Sequence, residues 1–289
     1  MTYWGWLLLR LTASVLPPAV VNAMAPAVAA AVLLAWPRGR RAMLRNYGRV
    51  LPQASRWTRF RTAWRAMANY LRYLVAFARF GSEPADRLAL RVDDGGAIER
   101  LKRHLETGRG AVLALPHLGN WDLGAAALCA AGVPLAVVGE RFGDPRVDRE
   151  VFRRRERLGV EVLPLSAAMP SVVRRLRAGG VVALLVDRPL REGGVAVEFF
   201  GARARIPEGA ARLALKTGAK IVPVAAPTLP GGRVRILADF GLEPPAASDE
   251  ETAVVALSQA MMRSIEGFIR QYPEQWYMFR DFWPEGATA

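Results

Sequence analysis

The run Ala111-Val112-Leu113-Ala114-Leu115-Pro116-His117-Leu118-Gly119-Asn120-Trp121-Asp122 carries an apolar strand through a turn into a helix. Five consecutive apolar residues with no polar alternation describe a strand covered on both faces, the kind found in parallel sheets. Similar short apolar runs recur at residues 135–139, 160–163 and 181–186, and the segments 122–131, 144–158 and 169–178 between them read as helices. Buried strands alternating with helices predict an α/β fold, a mixed, largely parallel central sheet flanked by helices. Residues 195–200, 221–226 and 234–240 add candidate strands; Pro207-Glu208-Gly209 opens a helix to residue 215, and residues 250–272 close the chain with an amphipathic helix. In such sheets sites gather where strands end at their carboxyl edge, and His117 falls there.

Upstream, Ser55 caps a long amphipathic helix to about Phe80, because Trp57, Phe60, Trp64, Met67, Leu71, Leu74 and Ala78 recur at three and four residues. This aromatic stripe reads as core. Residues 11–36 carry no charge and are long enough for a membrane span, but Pro17, Pro18, Asn22 and Pro26 interrupt them. Two short apolar helices broken near Pro17 and Pro18 fit better. The order of charges also departs from a secretory signal, since Arg10 follows the apolar stretch 4–9. Arg38, Arg40, Arg41 and Arg45 come next, and apolar surface beside arginines suits docking on an anionic leaflet; a hairpin that merely caps the core is the alternative. The expected organisation is one domain over 1–289: a membrane-docking segment at 1–50, the long helix at 55–80 and a catalytic core at 110–272.

Forty Lys and Arg against 26 Asp and Glu give a formal charge of +14, so an anionic partner is expected, whether nucleic acid, phospholipid headgroups or a phosphorylated substrate. No recognisable nucleic-acid motif is present and the arginines are dispersed, which weakens the first of these. A basic binding module for membranes or nucleic acid remains the non-enzymatic alternative. The single cysteine, Cys129, excludes an internal disulfide framework and reads as a small buried residue. Two histidines and one cysteine cannot supply a usual zinc set. G-x-S-x-G, P-loop and G-x-G-x-x-G sequences are all missing. What remains is a histidine base acting on a hydroxyl of the substrate. His104 lies in a polar helical stretch and reads as surface, whereas His117 stands at a strand end. Asp122 is five residues on, about 140° away on a regular helix, so the two would meet only if His117 lies in the turn and the carboxylate curls back. A favourable place in the helix dipole is the other reading of Asp122.

The run 114–122 resembles the H-x4-D signature of the glycerolipid and lipid A late acyltransferase superfamily, and within it is most similar to the actinobacterial phosphatidylinositol mannoside acyltransferases. Also similar, in order and spacing over roughly residues 110 to 225, are Val138-Gly139-Glu140-Arg141, the run 155–165, Asp187-Arg188-Pro189-Leu190, Val197-Glu198-Phe199-Phe200-Gly201 and Arg205-Ile206-Pro207-Glu208-Gly209. The resemblance implies acyl transfer from acyl-CoA, as co-substrate and with no cofactor or metal, to a hydroxyl of an anionic glycophospholipid. It implies a peripheral enzyme on the cytoplasmic side of the plasma membrane, and a monomer is expected. A lipid A precursor is the alternative acceptor. It gives His117 the role of general base and Asp187 that of orienting acid, where the family usually has glutamate; Asp122 is the motif's own acid. Glu140 and Arg155 match positions lining the family's site, and Arg188, Phe199, Phe200 and Glu208 are the further substrate-binding candidates. The residues themselves allow other readings: Asp187 as a turn aspartate before Pro189, Arg155 as part of a solvated charge run, Glu140 as a helix cap or ion-pair partner, and Phe199-Phe200 as the end of a buried strand or an apolar wall for an acyl chain.

Overall fold

The computed structural model describes residues 3–80, 83–139, 143–164, 168–190, 192–243 and 249–283. The chain opens with α1 (Tyr3–Val15), α2 (Pro18–Ala35), α3 (Pro37–Val50) and α4 (Arg56–Arg79), followed by α5 (Ala85–Ala89), β1 (Val92–Asp93) and α6 (Ala97–Leu105). The core alternates β2 (Ala111–Leu115), α7 (Trp121–Ala130), β3 (Leu135–Gly139), α8 (Pro145–Arg157), β4 (Val160–Pro164), α9 (Ala168–Arg177) and β5 (Val181–Leu185). After these come the hairpin β6 (Val195–Phe199) and β7 (Ala202–Ile206), then α10 (Gly209–Thr217), β8 (Lys220–Ala225), β9 (Val234–Arg235), β10 (Leu237–Ala238) and α11 (Glu250–Gln271).

The central sheet has the order β10-β8-β2-β5-β3-β4, and all its pairings are parallel except that of β10 with β8. Alternate residues of each strand feed two cores. Val112, Ala114, Ala136, Val182 and Ile221 pack with α2–α4, α9, α10 and α11, while Leu113, Leu135, Val181 and Val222 pack with α1, α6, α7 and α8. Helices on both faces explain why β2, β3 and β5 are apolar throughout.

The break expected at Pro17-Pro18 separates α1 from α2, and Ser55 caps α4, accepting from Thr58 N at 3.1 Å. Arginines finish the first three helices. Arg79 binds Ala13 O and Leu16 O, Arg40 binds Leu33 O, and Arg59 binds Leu51 O and Pro52 O. Carbonyls that an α-helix leaves without partners are thereby satisfied by cations, at the negative end of the dipole. Among the described residues α2 is the one helix long and apolar enough to cross a membrane, and only 22% of that stretch is buried.

Three expectations are corrected. Trp57 is not core: it is 68% exposed and stacks on Phe60, because burial along α4 begins only at Thr62. The strand expected over 234–240 divides at Ile236, since β9 pairs with β1 in a separate ladder before β10 joins β8. His104 is half-buried rather than a free surface residue, with Nε2 3.2 Å from Gly110 O.

Candidate active site

The register between β2 and β5 builds the site. Leu115 pairs with Leu185, and Val186 N donates to Leu115 O at 3.0 Å, so the strands leave the sheet in step. Two residues beyond the pair, His117 and Asp187 emerge side by side. Nδ1 of His117 lies 2.6 Å from Asp187 Oδ1, and the His117 backbone N–H donates to Oδ2 at 2.9 Å. A carboxylate only accepts, so this contact assigns the proton to Nδ1 and leaves Nε2 as the acceptor of the neutral ring. Asp187 is fully buried and the His117 side chain only 13% exposed. Burial alone would raise the Asp187 carboxyl. The His117 imidazole, its ring and main-chain N–H groups and the Trp276 indole together hold it below the usual carboxylate range.

The turn after His117 is fixed by the backbone. Gly119 has φ +71 and donates to Gln275 O at 3.1 Å, and Asn120 N donates to Ala226 O at 2.8 Å. Asn120 then caps α7 by accepting from Leu123 N. A Cβ on residue 119 would meet the Ala226 carbonyl and lie 2.7 Å from Pro227 Cα. Gly119→Ala is therefore expected to destabilise the protein by at least about 1–2 kcal/mol from the left-handed conformation alone, with the backbone overlap added. A chemical-denaturation midpoint equal to wild type would show that the turn relaxes freely.

Asp122 does not curl back to His117. Its Oδ1 accepts from Arg155 Nε at 2.8 Å and its Oδ2 from the Tyr73 hydroxyl at 2.7 Å. Burial alone would depress the Arg155 guanidinium, but Asp122 and Tyr73 push it above the usual arginine value, so it stays charged. Burial and the Asp122 charge likewise push the Tyr73 hydroxyl well up, which keeps it a donor. Arg155 is thus no solvated charge of α8; its side chain is 16% exposed. Arg188, next to Asp187, brings Nη2 to 3.5 Å from His117 Nε2.

Phe199 and Phe200 do not form an open wall. Both are buried against Trp276 and Trp283, Phe199 also against Phe282, and Phe200, at φ +51, makes the tight β6–β7 turn with Gly201. Glu208 is paired with Arg212 at 2.8 Å, which in turn binds Glu250 and Glu251 of α11. Glu140 lies outside the described residues. The apolar surface near the histidine lies elsewhere: a cavity under α7, floored by Leu113, Leu115, Val137, Ala183 and Leu185 and bordered by Asp122 and Arg155. Trp121, which also lines it, meets the imidazole edge to face with centroids 5.7 Å apart. Sequence reasoning missed Tyr73 and Trp276, because nothing local marks a tyrosine on the long helix or a tryptophan far downstream as partners of these carboxylates.

The family model described as bacterial lipid A biosynthesis acyltransferase matches residues 1–284. A phosphatidylinositol mannoside acyltransferase of Mycolicibacterium smegmatis is 34% identical over 223 residues, 75% of this chain and 71% of that protein. One of Mycobacterium tuberculosis, strain H37Rv, is 33% identical over 224 residues, 75% of this chain and 69% of the relative.

Proposed function

As a member of the bacterial lipid A biosynthesis acyltransferase family the chain is an acyltransferase, and we propose that it moves an acyl group from acyl-CoA to a hydroxyl of a phosphatidylinositol mannoside. The observation that carries the mechanism is the contact of His117 Nδ1 with a fully buried carboxylate. Nε2 takes the proton of the acceptor hydroxyl as its oxygen attacks the thioester carbonyl. The tetrahedral intermediate collapses, the C–S bond breaks, and the imidazolium returns its proton to the departing thiolate. Coenzyme A leaves readily, so no acyl-enzyme is needed. A positioned base contributes roughly two to four orders of magnitude, and holding both substrates in place supplies much of the rest.

The cavity under α7 supports an acyl-chain site, since it is walled by aliphatic side chains and reaches Trp121 beside the base. Ala183→Leu in its floor is expected to lower kcat/KM for a long-chain acyl-CoA by about tenfold relative to a short-chain donor, because a methylene in a filled pocket is worth that much. Equal losses for both donors would place the chain elsewhere. Membrane action is supported by exposed Trp4, Leu8, Leu11 and Val15 along α1 and Val20, Met24 and Val28 along α2, beside exposed Arg38 and Arg41. Such a surface suits a peripheral protein on an anionic leaflet.

The deciding experiment is incubation with radiolabelled acyl-CoA and separate acceptors, phosphatidylinositol mannoside and a lipid A precursor, followed by product analysis. Label is expected in the mannoside. Label in the lipid A precursor alone would overturn the acceptor but keep the chemistry; label in neither would remove both.

A further inference from the structure

We propose that Trp276 is a positioning residue for the acid–base pair, its indole N–H holding the Asp187 carboxylate in the orientation that keeps the Nδ1 proton on His117. The proposal rests on the reading of His117 as the base. Among the described residues Asp187 has three donors: the ring Nδ1 and backbone N–H of His117, and Trp276 Nε1 at 2.9 Å from Oδ2. Two of these belong to the base itself. Trp276 is the donor that fixes the carboxylate against something else.

The indole is itself held firmly. It is 1% exposed, lies against Phe199, Phe282 and Trp283, and its carbonyl accepts from the Tyr47 hydroxyl of α3 at 3.0 Å. Its neighbours grip the catalytic turn: Gly119 N donates to Gln275 O, and Tyr277 N donates to His117 O at 2.8 Å. Packing alone does not require the N–H. Among the described residues the buried indole nitrogens of Trp6, Trp121 and Trp283 meet no protein acceptor, whereas that of Trp276 donates to the Asp187 carboxylate.

Removing that N–H changes the electrostatics in a definite direction. A carboxylate with one donor fewer presents more negative charge to the imidazole and favours imidazolium, so the base deprotonates at higher pH. Among the described residues the groups facing the ring are Asp187, Arg188 and the edge of Trp121; Tyr70 on α4 faces Arg188, and Asp122, Arg155 and Tyr73 form a separate bonded set. None of these replaces the missing donor.

The test compares wild type with Trp276→Phe and with an isosteric replacement, benzothienylalanine at position 276, which keeps the bicyclic shape without the N–H. Rates are measured against pH with acyl-CoA and the acceptor, and near-UV circular dichroism reports folding. Both variants are expected to lose roughly tenfold to a hundredfold in kcat, the range for a hydrogen bond to a charged group, with KM unchanged and the acid limb of kcat/KM moved to higher pH. An unmoved acid limb in the folded isosteric variant, whatever its rate, would mean that Trp276 only packs, and would overturn the proposal. If Trp276→Phe fails to fold, the isostere decides alone. His117→Ala run beside them separates the two claims: full activity there defeats the base, whereas an inactive His117→Ala with wild-type pH profiles at position 276 defeats only Trp276.

Discussion

His117→Ala is expected to reduce acyl transfer by about two to four orders of magnitude while the protein stays folded. Folding survives because Asp187, buried as it is, keeps the backbone N–H of residue 117 and the Trp276 indole as donors. In the proposed mechanism the lost imidazole is the group that carries the hydroxyl proton. A residual rate remains, since the cavity and the surrounding residues still hold the two substrates together. The measurement is steady-state transfer of labelled acyl groups, with thermal melting in parallel. A well-folded His117→Ala that transfers at the wild-type rate would rule out imidazole catalysis here, because His104 sits on α6 with Nε2 against a backbone carbonyl.

Asp122→Ala is expected to act on stability first. It strips the Arg155 guanidinium, on a side chain only 16% exposed, of its carboxylate, and leaves the Tyr73 hydroxyl without its acceptor. Breaking a buried pair from one side costs about 3–5 kcal/mol, because a desolvated charge is left uncompensated. The double variant Asp122→Leu, Arg155→Met removes both charges and should recover most of that loss, since a buried ion pair replaced by apolar side chains of similar volume is often neutral or stabilising. Urea denaturation of the two variants decides the matter. A single variant as stable as wild type would show that Arg155 finds another partner, and a stably folded double variant without activity would return the Asp122–Arg155 pair to the reaction itself.

The two acids of the site differed in how far the chain alone revealed them. The strands were legible because β2, β3, β5 and β8 are covered on both faces and read as unbroken apolar runs. His117 and Asp187 were legible for the same reason, each standing just past the end of such a run. For Asp122 the chain left open a turn back to His117 and a place in the helix dipole, because its partners, Tyr73 and Arg155, stand on helices distant in sequence. The strand β7 was overlooked although Ala202, Ala204 and Ile206 alternate with Arg203 and Arg205, a pattern that reads as a half-exposed strand only once β6 is beside it. Phe199 and Phe200 were read both as the end of a buried strand and as a wall for substrate; the first holds, and the aromatic cluster far downstream that buries them has no local signature.

The step-matched exit of β2 and β5 also bears on how such an enzyme can be altered. The contact of His117 with Asp187 depends on the ladder that aligns Leu115 with Leu185, and everything from α7 through α9 is a detour between the two strands. Changes of length in the crossover leave the ladder untouched, whereas one residue inserted within β5 brings a neighbour of Asp187 to the imidazole. Recombination that exchanges the α8–β4–α9 segment among relatives would vary the surroundings of the site while passing the His117–Asp187 contact on intact.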